Sequence, residues 1–189
     1  MKDILLQIQQ HLKQKSSPEA IAAYKKFVPG NIKIYGVRTP VIDELAKQYK
    51  SGGFMLIEEL WKAGALEEKI MAVKILQKTA KTNAVKSLQL INNFADGIDN
   101  WAVCDALGMQ ALQSIKKTHA AEIFALAKKY NHSSNFWQRR LSLVLVEWYT
   151  RDKTYHPAIN KLITPLEKEE EYYVKKAVAW IKRNLAKGK

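Results

Sequence analysis

The sequence predicts an all-α fold: a right-handed α-solenoid of HEAT-like antiparallel helix pairs with a concave basic face, in one domain over 1–189. Three observations predict it. Apolar residues recur at helical spacing along nearly the whole chain, and no strand-like alternation of useful length interrupts them. The 8 Gly and 5 Pro fall mostly between the periodic segments. Helices joined by short turns and paired about every 35 to 40 residues form the pattern of stacked helical hairpins. An irregular helical bundle would show the same periodicity. A chain of 189 residues buries roughly 70% of its unfolded surface, enough to hold a core without disulfide or metal.

The periodicity places helices over 2–14, 18–27, 39–50, 53–63, 66–80, 83–94, 100–115, 118–130, 134–150, 155–164 and 169–186. Ser17-Pro18-Glu19 starts the second, with Pro at the first helical position, where its missing N–H costs nothing. Thr39-Pro40, with Asp43 close behind, starts the third. Ser51-Gly52-Gly53 is the turn before the fourth. Leu66, Ile70, Val73 and Leu76 give the fifth a core-facing stripe, and Glu67-Glu68 read as acidic charge placed at its N-terminal dipole. In the seventh, Val103, Cys104, Leu107, Ala111 and Ile115 form the apolar arc. Trp137, Leu141, Val144 and Trp148 line the ninth. Val174, Ala177, Val178, Ile181 and Leu185 line the last, preceded by Glu167 and the Glu169–Glu171 run as dipole charge.

The charge is one-sided: 31 Lys+Arg against 18 Asp+Glu, net +13. Such a field favours nucleic acid or an anionic membrane surface over an acidic protein. Arg occurs only at Arg38, Arg139, Arg140, Arg151 and Arg183. Scattered Lys suits sequence-independent attraction to phosphate better than base reading, where Arg forked onto guanine is expected. The single Cys104 excludes an internal disulfide and any multi-Cys metal site. No apolar run approaches a membrane span and no leader precedes the first helix, so a cytoplasmic location is expected.

Against this basic background, Trp101 and Asp105 stand out. They lie one helical turn apart, at the edge of the apolar arc of the seventh helix, where a side chain meets a cleft between helices. They would set a flat aromatic face beside a carboxylate. A core aromatic with an exposed or capping aspartate would have the same spacing. On the last helix Trp180 leaves the core stripe and falls with Tyr173, Lys176 and Arg183. A tryptophan on a basic face suits binding, though packing on a neighbouring helix is the alternative. Arg140 and its neighbour Arg139 are candidates for phosphate contact; the alternative is solvated arginines, paired with Glu147. His11, His119, His132 and His156 are dispersed without metal-ligand spacing, and no phosphate-cradling loop occurs, so neither metal nor nucleotide cofactor is expected.

Five of these stretches, in order, resemble the DNA alkylation repair family of AlkD-like HEAT-repeat glycosylases. They are Tyr35-Gly36-Val37-Arg38-Thr39-Pro40; Leu60-Trp61 followed by Glu67 to Gln77-Lys78; Asn100-Trp101-Ala102-Val103-Cys104-Asp105; Asn135-Phe136-Trp137-Gln138-Arg139-Arg140; and Glu171 to Trp180. The resemblance implies that Asp105 is the catalytic aspartate and that Trp101 and Trp180 are the cleft tryptophans. It makes Arg140 the phosphate-binding arginine, and Tyr24 the counterpart of a tyrosine in the early repeat, at a different spacing from Thr39-Pro40. The sequence departs from the pattern where Asn100 replaces a second tryptophan, and it ends soon after the Trp180 helix, without the further helices of longer members.

What the resemblance implies is a monofunctional DNA glycosylase without lyase activity. It would hydrolyse the N-glycosidic bond of cationic N3- or N7-alkylated purines in double-stranded DNA. Asp105 would steady the developing charge and orient water, and Trp101 and Trp180 would hold the cationic nucleotide. Arg140, Arg139, Lys176, Arg183, Thr39 and Tyr24 would hold the backbone. A monomer acting at the nucleoid, without cofactor, is expected. The competing reading is a non-catalytic HEAT-like module that binds nucleic acid through its basic face.

Overall fold

The computed structural model describes residues 2–28 and 30–187. These form α-helices and no strand: α1 (Lys2–Gln14), α2 (Pro18–Phe27), α3 (Thr39–Gln48), α4 (Gly53–Ala63), α5 (Leu66–Thr79), α6 (Ala84–Phe94), α7 (Trp101–Met109), α8 (Ala120–Asn131), α9 (Phe136–Val146), α10 (His156–Ile163) and α11 (Tyr172–Ala186). The all-α class is as the periodicity predicts. The Ser17 hydroxyl caps α2 by accepting from the Ala20 amide at 3.2 Å. Asn83, Asn100 and Asn135 cap α6, α7 and α9 in the same manner. Each satisfies an amide that the helix leaves unpaired, a contribution of about 1 kcal/mol.

The helices stack in two rows. One row runs α3, α5, α7, α9, α11, each against the next. The other contains α4 and α8, which close hairpins with α5 and α9, together with α6 and α10. The core lies between the rows. Gly108 lets α7 approach α9: a Cβ there would fall 2.7 Å from Val144 Cγ1 and 3.1 Å from the Leu145 amide nitrogen. Among the described residues no helix is long and apolar enough to cross a membrane.

Glu67 and Glu68 stand in the first turn of α5, as expected of dipole charge, but they do more than that. Both are fully buried. The Glu67 carboxylate accepts three consecutive backbone amides, from Tyr35 at 3.0 Å, Gly36 at 2.7 Å and Val37 at 3.1 Å. Glu68 accepts from the Gln9 amide, the Tyr35 hydroxyl and the Ala65 backbone at 2.8, 2.9 and 2.8 Å. A buried carboxylate is tolerable when its lone pairs are filled this way. The pair clasps α1 and the extended segment before α3 onto α5. Gly36 makes the clasp possible. It sits at φ +80, and a Cβ there would overlap Ile21 Cγ1 at 2.2 Å.

Three elements are shorter than the periodicity predicts by three residues or more, each for a local reason. The segment expected to be helical over 100–115 leaves the α-helix after Met109, where Lys116 Nζ takes the Met109 carbonyl at 2.6 Å. The chain then continues in tighter turns that still bury Ala111, Leu112 and Ile115. After Val146, α9 tightens into a 3₁₀ turn over Glu147–Arg151. Before α11, Glu169 turns its carboxylate onto the amides of Glu170 and Glu171 and onto Arg139, so the helix starts at Tyr172.

Replacing Glu67 with Ala would leave three amides without an acceptor, those of Gly36 and Val37 buried and that of Tyr35 partly so, at a cost of roughly 3–5 kcal/mol. Urea unfolding of Glu67→Ala is expected to show that loss. A variant within 1 kcal/mol (roughly) of wild type would mean that water replaces the carboxylate.

Candidate active site

The site is built on the first two turns of α7. The Asn100 side chain is buried; its oxygen accepts from the Val103 amide at 3.0 Å and its nitrogen donates to Asp99 Oδ1 at 2.7 Å. Asp99 is held in turn by Lys69 Nζ at 2.7 Å. Asn100, where the resembling family often has a tryptophan, is therefore the cap that sets the direction of α7. The next residue, Trp101, is partly exposed. Its indole Nε1 donates to the Phe27 carbonyl at 2.8 Å, tying α7 to the end of α2. That bond holds the indole at the wall of a cleft.

One turn on, Asp105 meets Arg140 from α9. Arg140 Nε donates to Oδ1 at 2.9 Å and Nη2 to Oδ2 at 2.8 Å, while Nη1 donates to the Tyr173 carbonyl at 2.7 Å. One guanidinium thus joins α7, α9 and the start of α11. Burial raises the Asp105 carboxyl above the usual aspartate range, and the Arg140 fork pulls it back part of the way. The fork occupies one lone pair on each oxygen. Asp105 is 20% exposed and Arg140 8%, and Asp105 lines the cleft, from which water or a ligand reaches it.

The cleft in front of this pair has a volume of about 390 Å³ and a mainly apolar lining. Tyr24 and Phe27 from α2, Thr39 from α3, Ile70 and Lys74 from α5, and Met109 from α7 surround Trp101 and Asp105. The Tyr24 hydroxyl donates to the Val37 carbonyl at 2.8 Å, and burial, with the nearby Glu67 charge, raises its pKa. Lys74 is neutralised by Asp43 at 2.5 Å. The cleft therefore offers a carboxylate, an aromatic face and a low-polarity wall. Among the described residues, no group of three His, Cys, Asp or Glu side chains could hold a metal ion.

A family model described as DNA alkylation repair enzyme matches residues 8–189. This chain belongs to the DNA alkylation repair enzyme family. Among curated proteins none matches it. A solved structure, a predicted DNA alkylation repair enzyme from Enterococcus faecalis, superposes with a TM-score of 0.78. The two share 20% sequence identity over 92% of this chain and 84% of the other, a likeness of fold.

In this alkylation repair family member the expected site residues separate into two groups. Tyr24, Thr39, Trp101 and Asp105 line one cleft, with Arg140 directly behind Asp105. Trp180 does not line it. It lies in a second hollow with Glu147, Thr150, Arg151, Asn184 and Lys187. Arg139 is bound to Glu169 at 2.6 Å and to the carbonyls of Ser133 and Ser134. Glu147 pairs with Arg151 and Asn184, not with either neighbouring arginine of α9. Lys176 and Arg183 are exposed, Lys176 with its ammonium 5.3 Å from the Tyr172 ring centroid.

Sequence reading missed Ile70, Lys74, Met109 and Phe27 as cleft residues. The signal was present. Leu66, Ile70 and Lys74 on α5, and Trp101, Asp105 and Met109 on α7, are two i, i+4, i+8 stripes that face one another across the gap. Each stripe alone reads as a core face with a polar interruption.

Removing Arg140 would strand the buried Asp105 carboxylate. Arg140→Met is expected to lower stability at neutral pH by roughly 3–5 kcal/mol. Its Asp105 pKa should move further up, because the only force lowering it is gone. The folded state then binds its proton before the unfolded state does, so the variant should recover stability as pH falls through that raised value. Carboxyl NMR titration with urea melts at two pH values measures both. An Asp105 pKa unchanged in Arg140→Met would show that the fork has no electrostatic role.

Proposed function

We propose that this protein is a monofunctional DNA glycosylase that removes cationic N3- or N7-alkylated purines from double-stranded DNA. The observation that carries this reading is Trp101 and Asp105 side by side in one apolar cleft, in a chain of net +13 that belongs to an alkylation repair family. An alkylated purine already bears positive charge. When its C1′–N bond breaks, the bonding electrons neutralise the base, which leaves without protonation. Positive charge then grows on the deoxyribose. Asp105 faces that charge across a low-polarity gap, where electrostatic stabilisation is strong. A water on its free lone pairs adds to C1′, and its proton passes to the carboxylate and on to solvent.

The Arg140 fork sets the orientation of Asp105 and favours its ionised form. Trp101 offers its ring face to the cationic nucleotide, a contact of about 0.5–2 kcal/mol. Selection would follow charge and lability of the lesion rather than base edges. The DNA backbone falls to side chains that stand exposed: Lys176, Arg183 and Thr39, the last at the N-terminus of α3. Arg139, tied to Glu169, and Trp180, in its separate hollow, are assigned no contact with the lesion. A concave basic solenoid face acting as a monomer along duplex DNA fits this division.

A non-catalytic nucleic-acid-binding module is the second reading, and one observation favours it. Asp105 is already charge-paired, so its field at the cleft is weaker than that of a lone carboxylate. Incubation with duplex DNA containing 7-methylguanine separates the two. The wild type is expected to release free base, and Asp105→Asn to lose about 100- to 1,000-fold of the rate. No release by wild type above the spontaneous rate would leave only the binding module.

The pH profile supplies an independent check. Asp105 works ionised, so the rate should be flat at neutral pH and fall as pH drops through its raised pKa. In a conservative Arg140→Lys variant that acid limb should lie at higher pH, because a point charge replaces the fork. A limb that does not move would detach Arg140 from the chemistry.

A further inference from the structure

We infer that Phe27 stacks on a nucleobase next to the lesion and separates it from its neighbour, an assignment that rests on the DNA reading of the cleft. Phe27 is the last residue of α2 and is 62% exposed. Of the large apolar side chains that stand exposed among the described residues, it alone lines the Asp105 cleft. Its backbone carbonyl accepts from the Trp101 indole at 2.8 Å, so the ring stands on a residue whose backbone is tied to the candidate catalytic helix.

Its surroundings say what it meets. Lys25 and Lys26 beside it are exposed, and the Lys26 ammonium sits 5.4 Å from the Phe27 ring centroid. An exposed ring, with one ammonium over one of its faces and a second lysine next to it in sequence, stands at the mouth of a cleft in a chain of net +13. It matches a base with its phosphates, the base taking the other face. The ring takes the π-face and the ammonium groups take the backbone. An apolar peptide would gain nothing from the lysines. Apolar side chains that enter a duplex part adjacent base pairs, which here would open the lesion's sugar toward Asp105.

The substitution is clean. Phe27 contributes its backbone, not its ring, to the Trp101 bond, so Phe27→Ala leaves that anchor in place. The probe is a duplex carrying 7-methylguanine on a 2′-fluorinated sugar, whose fluorine blocks cleavage, with 2-aminopurine as the adjacent base. Wild type is expected to raise the 2-aminopurine fluorescence on binding. A 2-aminopurine placed several pairs away should not respond. Phe27→Ala should lose the rise and bind this duplex about tenfold more weakly, and Phe27→Trp should keep both. No local rise with the wild type, or an undiminished rise with Phe27→Ala, overturns the assignment. Base release from ordinary 7-methylguanine DNA is measured in parallel. A local rise without base release removes the glycosylase reading and leaves the stacking; release without the rise does the reverse.

Discussion

A carboxylate and a guanidinium taken out of bulk water hold this structure's functional half together. Asp105 and Arg140 meet through two parallel bonds, and the third donor of Arg140 reaches the Tyr173 carbonyl. Three helices far apart in sequence are thereby fixed around one charge pair. Either group alone in that position would be costly, because each is largely buried and its charge would be uncompensated. Together they leave the cleft-facing lone pairs of Asp105 available. The close approach of α7 to α9 that Gly108 permits is the geometric condition for the pair.

The cleft in front of that pair has a second support. Its far wall is α2 and the start of α3. Of these, α3 packs through Ile42, Leu45 and Ala46, but α2 has no large apolar face of its own: Ala20 is its buried residue. The wall is held instead by polar bonds, with Glu67 on the backbone of 35–37, the Tyr24 hydroxyl on the Val37 carbonyl, and the Trp101 indole on the Phe27 carbonyl. Buried polar groups of this kind fix position more sharply than apolar contact, because each bond has a direction. The result places an aromatic ring and a carboxylate in one cleft. It also leaves Phe27 standing outward at the rim.

Much of this was legible in the residues, and the failures have specific causes. Ser17-Pro18 marked a true helix start, and the Trp101–Asp105 spacing marked the edge of a helix face. Glu67-Glu68 read as charge at a helix N-terminus, which is where they stand, but local sequence carries no sign of the amides that fill a buried carboxylate from thirty residues away. Lys116 ended α7 early through a side-chain bond to Met109 that periodicity cannot register. On the wheel Trp180 falls off the core stripe of its helix, yet in the structure it packs, partly buried, against the core, because a wheel gives a direction around one axis and not a partner. The structure directs it to Glu147 and Asn184 rather than to Asp105.

By itself the sequence determined the helical class, the basic charge, and the one-turn pairing of Trp101 with Asp105, since these depend on residue types and short spacings. Five ordered motifs also pointed to the alkylation repair family. Tertiary structure alone decided that Asp105 is forked by Arg140, that Tyr24 and Thr39 join its cleft, and that Trp180 and Arg139 are engaged elsewhere. The reason is physical. Periodicity fixes which way a side chain leaves its own helix, while burial, pairing and access depend on which other helix comes to meet it.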